Sequence, residues 1–450
     1  MVIPMAAGSL VGSALPTSNV REEFALNRDS VMMSKNGVES SPFALRVCFD
    51  GRKILHGGIG VYIQNAISGL LAHGVRLTVL INDSPNSLKG VLSPAVYEAC
   101  RFVQISAKPF SREELFGLRS EVDWSQCDLF HTPNYVLPFG VPIPSVITVH
   151  DLIHLRFPEQ KYYPYIAGPL LLSSLFRSKR VVAVSRATCL ELCSFARRFP
   201  WGRRHKVRVV SNALSPSLIQ RAGQPKAIQP DYVKTRFGVR SRYLLAVLST
   251  VKPHKGVKDL LDAFLDLESR GVLRELGDVR LLLVGQGTQN LLQIEKLIAQ
   301  VAELRCAHLL GEVTREELFQ LYGNADGVVI PSFQEGFCLP VIEAQSVGTP
   351  VLCRPLPSVL DNLSPRDWVC KDFSHGALLR GIEEFLRRSK TREIPAEAIQ
   401  EWQNEFARRF DPVLLGRQLL EVYSEVASPK SPTDLHFNHP FSDSLRKRAA

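Results

Sequence analysis

Pro331-Ser-Phe-Gln-Glu335-Gly-Phe-Cys-Leu-Pro340-Val-Ile-Glu343-Ala344 is the stretch that decides the architecture. The apolar run before it, Val328–Ile330, reads as a strand that ends at Pro331. A polar loop turns at Gly336, and Pro340 suits the first turn of a helix, where its missing N–H costs nothing. The backbone amides of Gly336, Phe337, Cys338 and Leu339 would then face outward with the positive end of the helix dipole, a ready place for phosphate. Glu335 stands just before that end, and Glu343 one turn inside it. A carboxylate beside a phosphate is unfavourable unless it serves another group, and sugar hydroxyls suit an ionised acceptor. A capping carboxylate explains the same residues without any ligand.

Outward from this stretch the chain alternates strand and helix. In the first half, strand Phe43–Asp50 leads into a glycine loop, Gly57-Gly58-Ile59-Gly60, then helix Val61–Ala72 and strand Arg76–Ile81. Further strands are expected at Asp128–His131, Ser145–His150, Arg180–Val184 and Val207–Val210, with a long helix over Tyr162–Phe176. Residues 215–230, rich in Pro, Gln and Ala, read as a linker. The second half opens with strand Tyr243–Leu248. Helix Val257–Glu268, strand Val279–Val284, the turn Gly285-Gln-Gly287 and helix Asn290–Glu303 follow. The pattern predicts an α/β protein of two facing, Rossmann-like, doubly wound domains with a cleft between them.

In such sheets, ligands bind beyond the carboxyl ends of the strands. Lys255, in Leu248-Ser-Thr250-Val-Lys-Pro-His254-Lys-Gly256, is placed to neutralise a diphosphate, although a solvated loop lysine fits too. His131 and His150 stand at strand ends, His150 beside Asp151. A strand-end His next to Asp is a candidate for hydrogen bonding and proton transfer. His131 is the weaker candidate, and His154 weaker still. The glycine loop at Gly58 and the Gly285 turn fall short of a full dinucleotide fingerprint, which argues against a nicotinamide enzyme.

The 450 residues carry a net charge of +10, 45% hydrophobic and 22% charged residues. That excess points to an acidic partner. Residues 197–208 hold six Lys/Arg and no acid, with Phe199 and Trp201 between them, a composition suited to an anionic membrane surface. Nucleic acid is not expected, because no recognised binding motif accompanies the charge. The nine cysteines are scattered, several in apolar runs, as buried free thiols are in a reducing compartment. No metal site is expected. No apolar run is long enough to span a membrane, and the first 42 residues lack the order of a secretory signal. The expectation is a cytoplasmic protein, with attachment to the inner face of the cell membrane left open.

Glu335 and Glu343 match the E-x7-E signature of retaining GT-B glycosyltransferases, in its Glu-Gly-Phe-Gly-Leu-Pro form. Gly311-Glu-Val, Glu317-Leu-Phe-Gln-Leu-Tyr322, Ala325-Asp326 and Gly348-Thr-Pro-Val351 resemble the surrounding block of glycosyltransferase family 4 (group 1), mannosyltransferases included. The likeness is dense over Tyr243–Leu363. It implies that Glu335 contacts donor-sugar hydroxyls and Glu343 the nucleotide ribose, and that Lys255 is the phosphate-binding lysine. Many members carry an arginine where this chain has Thr250, which leaves the phosphate clamp one firm cation short. The pattern His-x-Pro-x-Tyr-x-x-Pro from His131, followed by Thr-Val-His-Asp-Leu, again resembles the family and implies that His150 lies near the reacting sugar carbon. Gly58 and Gly285 would lie against the donor.

The implied reaction is hexosyl transfer from a nucleoside-diphosphate sugar, such as GDP-mannose or a UDP-hexose, to a glycan or lipid-linked acceptor of cell-surface polysaccharide or lipopolysaccharide. No further cofactor is expected. The expected division is a flexible extension at 1–42, an acceptor-side domain at 43–222, a nucleotide-sugar domain at 223–412, a closing helix at 413–428 able to pack on either domain, and a flexible basic tail at 429–450. Alternatives from other classes are a nucleotide-sugar epimerase, a phosphorylase, and a catalytically silent nucleotide-binding or scaffold protein.

Overall fold

The computed structural model describes residues 45–158, 160–197, 199, 206–221, 227–248, 252–285, 299, 305–391 and 395–427. The expected N-terminal extension and basic tail lie outside the described residues, as do helix Asn290–Glu303 apart from residue 299, Thr250, Gly287 and most of 197–208.

Seven parallel strands form a first sheet. They are β1 (Arg46–Asp50), β2 (Arg76–Ile81), β3 (Arg101–Gln104), β4 (Leu129–Thr132), β5 (Ser145–Val149), β6 (Arg180–Ala183) and β7 (Val207–Val209). Their spatial order is β3-β2-β1-β4-β5-β6-β7. Six more form a second sheet: β8 (Tyr243–Val247), β9 (Arg280–Val284), β10 (Ala307–Gly311), β11 (Gly327–Ile330), β12 (Val351–Cys353) and β13 (Trp368–Val369). These run β10-β9-β8-β11-β12-β13, also all parallel. The central strands β4, β5, β11 and β12 are buried along their whole length. Burial on both faces is why they read as continuous apolar runs rather than alternating ones. Strand order reverses between β1 and β4 and again between β8 and β11, which makes a crevice at the carboxyl ends of each pair.

The principal helices are α1 (Gly57–Ala72), α2 (Tyr163–Arg177), α3 (Arg186–Ala196), α4 (Val257–Ser269), α5 (Arg315–Asn324), α6 (Leu339–Ser346), α7 (His375–Thr391), α8 (Ala396–Arg409) and α9 (Pro412–Ser424). One sequence expectation is corrected here. The glycines at 57–60 are the first turn of α1, not a loop before it, because the Gly60 amide already bonds to the His56 carbonyl at 2.9 Å. Part of the expected linker is likewise ordered: Pro216–Arg221 forms a short helix, and the Ile228 side chain fills the space beside Gly323.

The chain returns to its first half at its end. Helix α8 packs on α6, and α9 then packs on α1. The α1–α9 crossing is close enough that a Cβ on Gly69 would fall 2.0 Å from the Pro412 carbonyl oxygen and 2.8 Å from the Gly416 nitrogen. Two small residues at one crossing let the backbones touch. The core of the first domain therefore includes Leu415, Leu419 and Tyr423 of α9, together with Phe337 and Ile342 of the second half.

Candidate functional site

The β8–β11 crevice carries the charges. Pro253-His254-Lys255 makes one tight turn after β8, closed by Gly256 at φ +65°. A Cβ there would lie 2.1 Å from the Pro331 carbonyl oxygen, so only glycine lets this turn rest on the end of β11. The contact brings Lys255 to Glu335. Its Nζ lies 2.7 and 2.9 Å from the two carboxylate oxygens, and the Ser332 hydroxyl donates to the same group at 2.7 Å. Burial works against the Lys255 charge, but the neighbouring Glu335 outweighs it and holds the lysine above its ordinary value.

Glu335 leads straight into α6. No side chain caps this helix, and Pro340 sits in its first turn. Phe337 turns its ring into the first domain's core, edge-on to Phe410 with ring centroids 6.0 Å apart. Cys338 packs into the second domain's core. The backbone is thus what this helix start presents, which suits an anion. One turn on, Glu343 accepts a hydrogen bond from the buried Tyr322 hydroxyl at 2.7 Å. Burial raises the Glu343 carboxyl, with Tyr322 and Arg315 opposing.

The first domain meets this loop at Gly336. A Cβ there would fall 2.0 Å from the His150 carbonyl oxygen. The Gly336 carbonyl accepts hydrogen bonds from Ser185 at 2.6 Å and Thr188 at 3.2 Å, both at the start of α3. Gln334 reaches the Glu191 carboxylate at 3.2 Å. The Gly58 side of α1 also closes on α6, since a Cβ on Gly58 would lie 3.7 Å from Leu339 Cδ1. Gly58, Gly336, Leu339, Glu335, Lys255 and His150 are thus drawn into one neighbourhood. Gly285 instead lies against the end of β8, where a Cβ would meet the Leu248 carbonyl oxygen at 1.8 Å.

His150 ends β5. Its ring packs edge-on against Tyr62, with centroids 4.9 Å apart, and pairs with the Pro133 carbonyl, while Nε2 is buried without a partner. Burial first, then the nearby Lys53, pushes its pKa down to about 4. The imidazole is therefore neutral near pH 7, with Nδ1–H as donor and a lone pair on Nε2. Asp151 beside it is raised by burial and by Glu335, against the Ile153 amide, Lys255 and Lys252.

His131 has a different part. It is fully buried, with Nδ1 bonded to Tyr423 of α9 and Nε2 to Thr148 at 2.8 Å. Both ring nitrogens are spent on holding the fold. His154 stacks on Tyr135, with centroids 4.4 Å apart, and burial lowers it to about 4.

Three groups were not found by inspecting the sequence. Arg354 follows β12, is wholly buried, and donates to the Pro331 carbonyl at 2.7 Å and to Asp259 of α4 at 2.5 Å. Its guanidinium lies 4.0 Å over the Phe333 ring, so it ties the Lys255 turn to the Glu335 loop. A charged residue directly after a strand was the available signal. Arg315, at the start of α5, donates to Gln64 of α1 and so joins the two halves. The third is the cluster after β1. Arg52 bonds both Asp50, at 2.7 Å, and Glu114, at 2.5 Å. Beside it lies a small pocket, with room for about one water molecule, lined by Asp50, Lys53, Pro109, Glu114, Pro133 and Asn134. Burial pushes Lys53 down to about 8, and its Nζ lies 3.9 Å over the Phe110 ring. Pro133 belongs both to this pocket and to the His150 hydrogen bond. Among the described residues, no group of three or more His, Cys, Asp or Glu side chains is placed to hold a metal ion.

Two doubly wound parallel-sheet domains are the architecture of the GT-B class of glycosyltransferases. Residues 236–402 match the family described as glycosyl transferases group 1, and residues 56–218 match glycosyltransferase family 4. The chain is a glycosyltransferase, and its two halves resemble these group 1 and family 4 enzymes. The O-antigen chain mannosyltransferase B of Escherichia coli is 27% identical over 315 residues, 67% of this chain and 74% of that protein. The MMP alpha-(1->4)-mannosyltransferase of Mycolicibacterium hassiacum is 39% identical over 125 residues, 27% of this chain and 28% of that protein. The chain matches 30% of the length of the E. coli serotype-specific mannosyltransferase WbdA. Among solved structures, sucrose-phosphate synthase from Thermosynechococcus elongatus superposes with a TM-score of 0.63 at 17% identity, over 85% of this chain and 98% of that one. Anabaena HepE in complex with UDP and glucose gives 0.61 at 18% identity, over 85% and 100%. At such identities the likeness shows the fold alone.

Proposed function

We propose that this protein transfers a hexose, mannose or a close relative, from a nucleoside-diphosphate sugar to a glycan or lipid-linked acceptor in cell-surface polysaccharide synthesis, with retention at the anomeric carbon. The observation that carries the reading is the Lys255–Glu335 pair at the uncapped start of α6, next to Gly336, which packs on the His150 backbone carbonyl at the domain junction. In this reading the bond from the anomeric carbon to the diphosphate breaks while a bond from that carbon to an acceptor hydroxyl oxygen forms, and the hydroxyl proton passes to the departing diphosphate oxygen. Lys255 and the amides of Phe337–Leu339 stabilise the departing negative charge. Glu335 holds the sugar hydroxyls. Glu343, steadied by Tyr322, holds the ribose. The neutral His150 offers its Nε2 lone pair to a sugar hydroxyl beside the reacting carbon. The acceptor approaches from the first domain. Water is kept out where Ser185 and Thr188 bind Gly336. No metal or cofactor besides the donor is required, and the reaction runs on the cytoplasmic side.

Mannosyl donors are favoured by the names of the curated relatives, and uridine donors by the ligand named with HepE. The test is release of nucleoside diphosphate by the full chain, from GDP-mannose and from UDP-glucose, with and without glycan and lipid-linked acceptors. Release that depends on acceptor is the expected result. Tight nucleotide binding with no release on any acceptor would leave a silent nucleotide-binding protein. Conversion of the donor without an acceptor would leave an epimerase.

A further inference from the structure

Helix α2 is apolar on two opposite faces. Ala167, Gly168 and Leu171 are buried on its inner side. On the outer side Tyr165 is 75% exposed, Ile166 55% and Phe176 63%, with Tyr162, just before the helix, at 56%. Pro169 is exposed as well. Positions 162, 166, 169 and 176 fall along one stripe at helical spacing. A surface helix of a globular protein carries charged and polar residues on that face. The apolar surface continues beyond the helix. Arg177 lies 4.2 Å over the Phe139 ring, which stacks on the 68% exposed Phe116.

The surroundings of this stripe are cationic. No Asp or Glu occurs from Gln160 to Leu190. Lys161, Lys179 and Arg186 are exposed around it, as is Arg197 at the end of α3. Residues 160–208 contain eleven Lys and Arg and a single acid, Glu191, so this one segment carries a charge equal to the net +10 of the whole chain. Some of that charge is engaged: Arg180 and Arg208 pair with Glu425, and Lys206 donates to the Phe176 and Ser178 carbonyls.

Exposed tyrosines and a phenylalanine in a cationic rim fit one occupant, the headgroup region of an anionic lipid layer. A second copy of the chain would bring the same cationic rim to a two-fold contact and be repelled. No described helix is long and apolar enough to cross a membrane, which leaves docking on the surface. The chain leading into α2 also passes the reaction site, since Phe157 lies with its ring centroid 6.3 Å from that of His254. We propose that the outward face of α2 seats the protein on an anionic lipid surface, with its aromatic rings at headgroup level and the flanking lysines and arginines against lipid phosphates.

The test is flotation of the full chain with vesicles of equal phosphatidylglycerol and phosphatidylcholine, and with vesicles of phosphatidylcholine alone, without donor or acceptor. The transfer reaction is therefore judged separately. Binding is expected on the anionic vesicles only, weakening with salt. Changing Tyr165→Ser, Ile166→Ser and Phe176→Ser together is expected to cut the bound fraction at least ~10-fold, with the unfolding temperature unchanged because all three are exposed. Equal flotation of the triple variant, no flotation of the parent on anionic vesicles, or equal binding to neutral vesicles would overturn the proposal. So would a parent dimer that the triple variant dissolves, since that would make a second copy the occupant.

Discussion

Lys255 Nζ bridges both oxygens of Glu335, at 2.7 and 2.9 Å, across the point where strand order reverses between β8 and β11. The two residues lie 80 positions apart in the chain, so the contact is a product of the topology. It ties the group that suits phosphate to the group that suits sugar. On the proposed function, a donor entering here would bring its own anion to Lys255 and its own hydroxyls to Glu335. The pair thus holds the site ready in its absence and has a ready exchange partner for each member.

Lys255→Ala is expected to lower kcat by more than ~100-fold, the scale of a lost electrostatic donor. It also strands a carboxylate whose side chain is only 10% exposed, so stability falls as well. The double variant Lys255→Ala/Glu335→Ala is expected to recover stability and none of the activity. Initial rates and urea unfolding of the three proteins separate the two effects. A folded Lys255→Ala with near-normal turnover would remove the lysine from the mechanism.

Gly336 and Gly58 make opposite predictions. A methyl at Gly336 would sit 2.0 Å from the His150 carbonyl oxygen and 3.0 Å from Asp151 Cβ. Gly336→Ala therefore forces the Glu335 loop away from the first domain and breaks the Ser185 and Thr188 bonds, with an expected loss of about 100-fold in kcat for a shift near 1 Å. A methyl at Gly58 meets nothing closer than Leu339 at 3.7 Å. Gly58→Ala keeps the fold, and a raised donor KM is the expected sign that the donor approaches this backbone. Circular dichroism and donor saturation curves on both variants read out the difference.

Much of this was legible in the sequence because two independent periodicities agreed. Apolar runs bounded by turns fixed the central strands, since strands buried on both faces cannot alternate. The rule that open parallel sheets expose ligands beyond their strand ends marked Lys255, His150 and Glu335 as candidates. What stayed hidden needs contacts between distant segments. Nothing local in Val-Leu-Cys-Arg354 says that the arginine will be buried against Phe333 and Asp259. The docking side of α9 was undecidable for the same reason: it depends on Gly69 and Gly416 meeting 347 residues apart. The weaker standing of His131 has a physical cause in the structure, where both ring nitrogens are spent on Tyr423 and Thr148.

His131 sets an acid limit on stability. Burial, with His150 adding to it, lowers its pKa to about 3 in the folded chain, against about 6.5 when unfolded. The unfolded chain therefore binds the proton first. Stability from this group is full above about pH 6.5 and is lost as pH falls toward 3, at up to about 1.4 kcal/mol per pH unit for one proton. His150 and His154, both lowered to about 4, act in the same direction. Urea midpoints measured between pH 4 and 7 should fall on the acid side, and His131→Gln should flatten that slope by about one proton. A slope unchanged in His131→Gln would show that His131 is already protonated in the folded protein.

Cys338 offers the cleanest separation of backbone from side chain in the site. It sits at φ +69° as the residue before α6, a left-handed conformation that costs a non-glycine residue about 1 kcal/mol. The residue is 8% exposed and its side chain packs with apolar neighbours, while its amide belongs to the uncapped helix start. Cys338→Gly removes the strain and keeps the amide but loses the buried side chain, so it is expected to be more stable than Cys338→Ala by up to about 1 kcal/mol rather than more stable than the parent. Cys338→Ala keeps the strain and loses the sulfur, so no gain is expected. Turnover should be unchanged in both, because the proposed phosphate contact is made by backbone. A fall in kcat common to both variants would mean that the thiol itself takes part, and would move the phosphate contact from the backbone to the side chain.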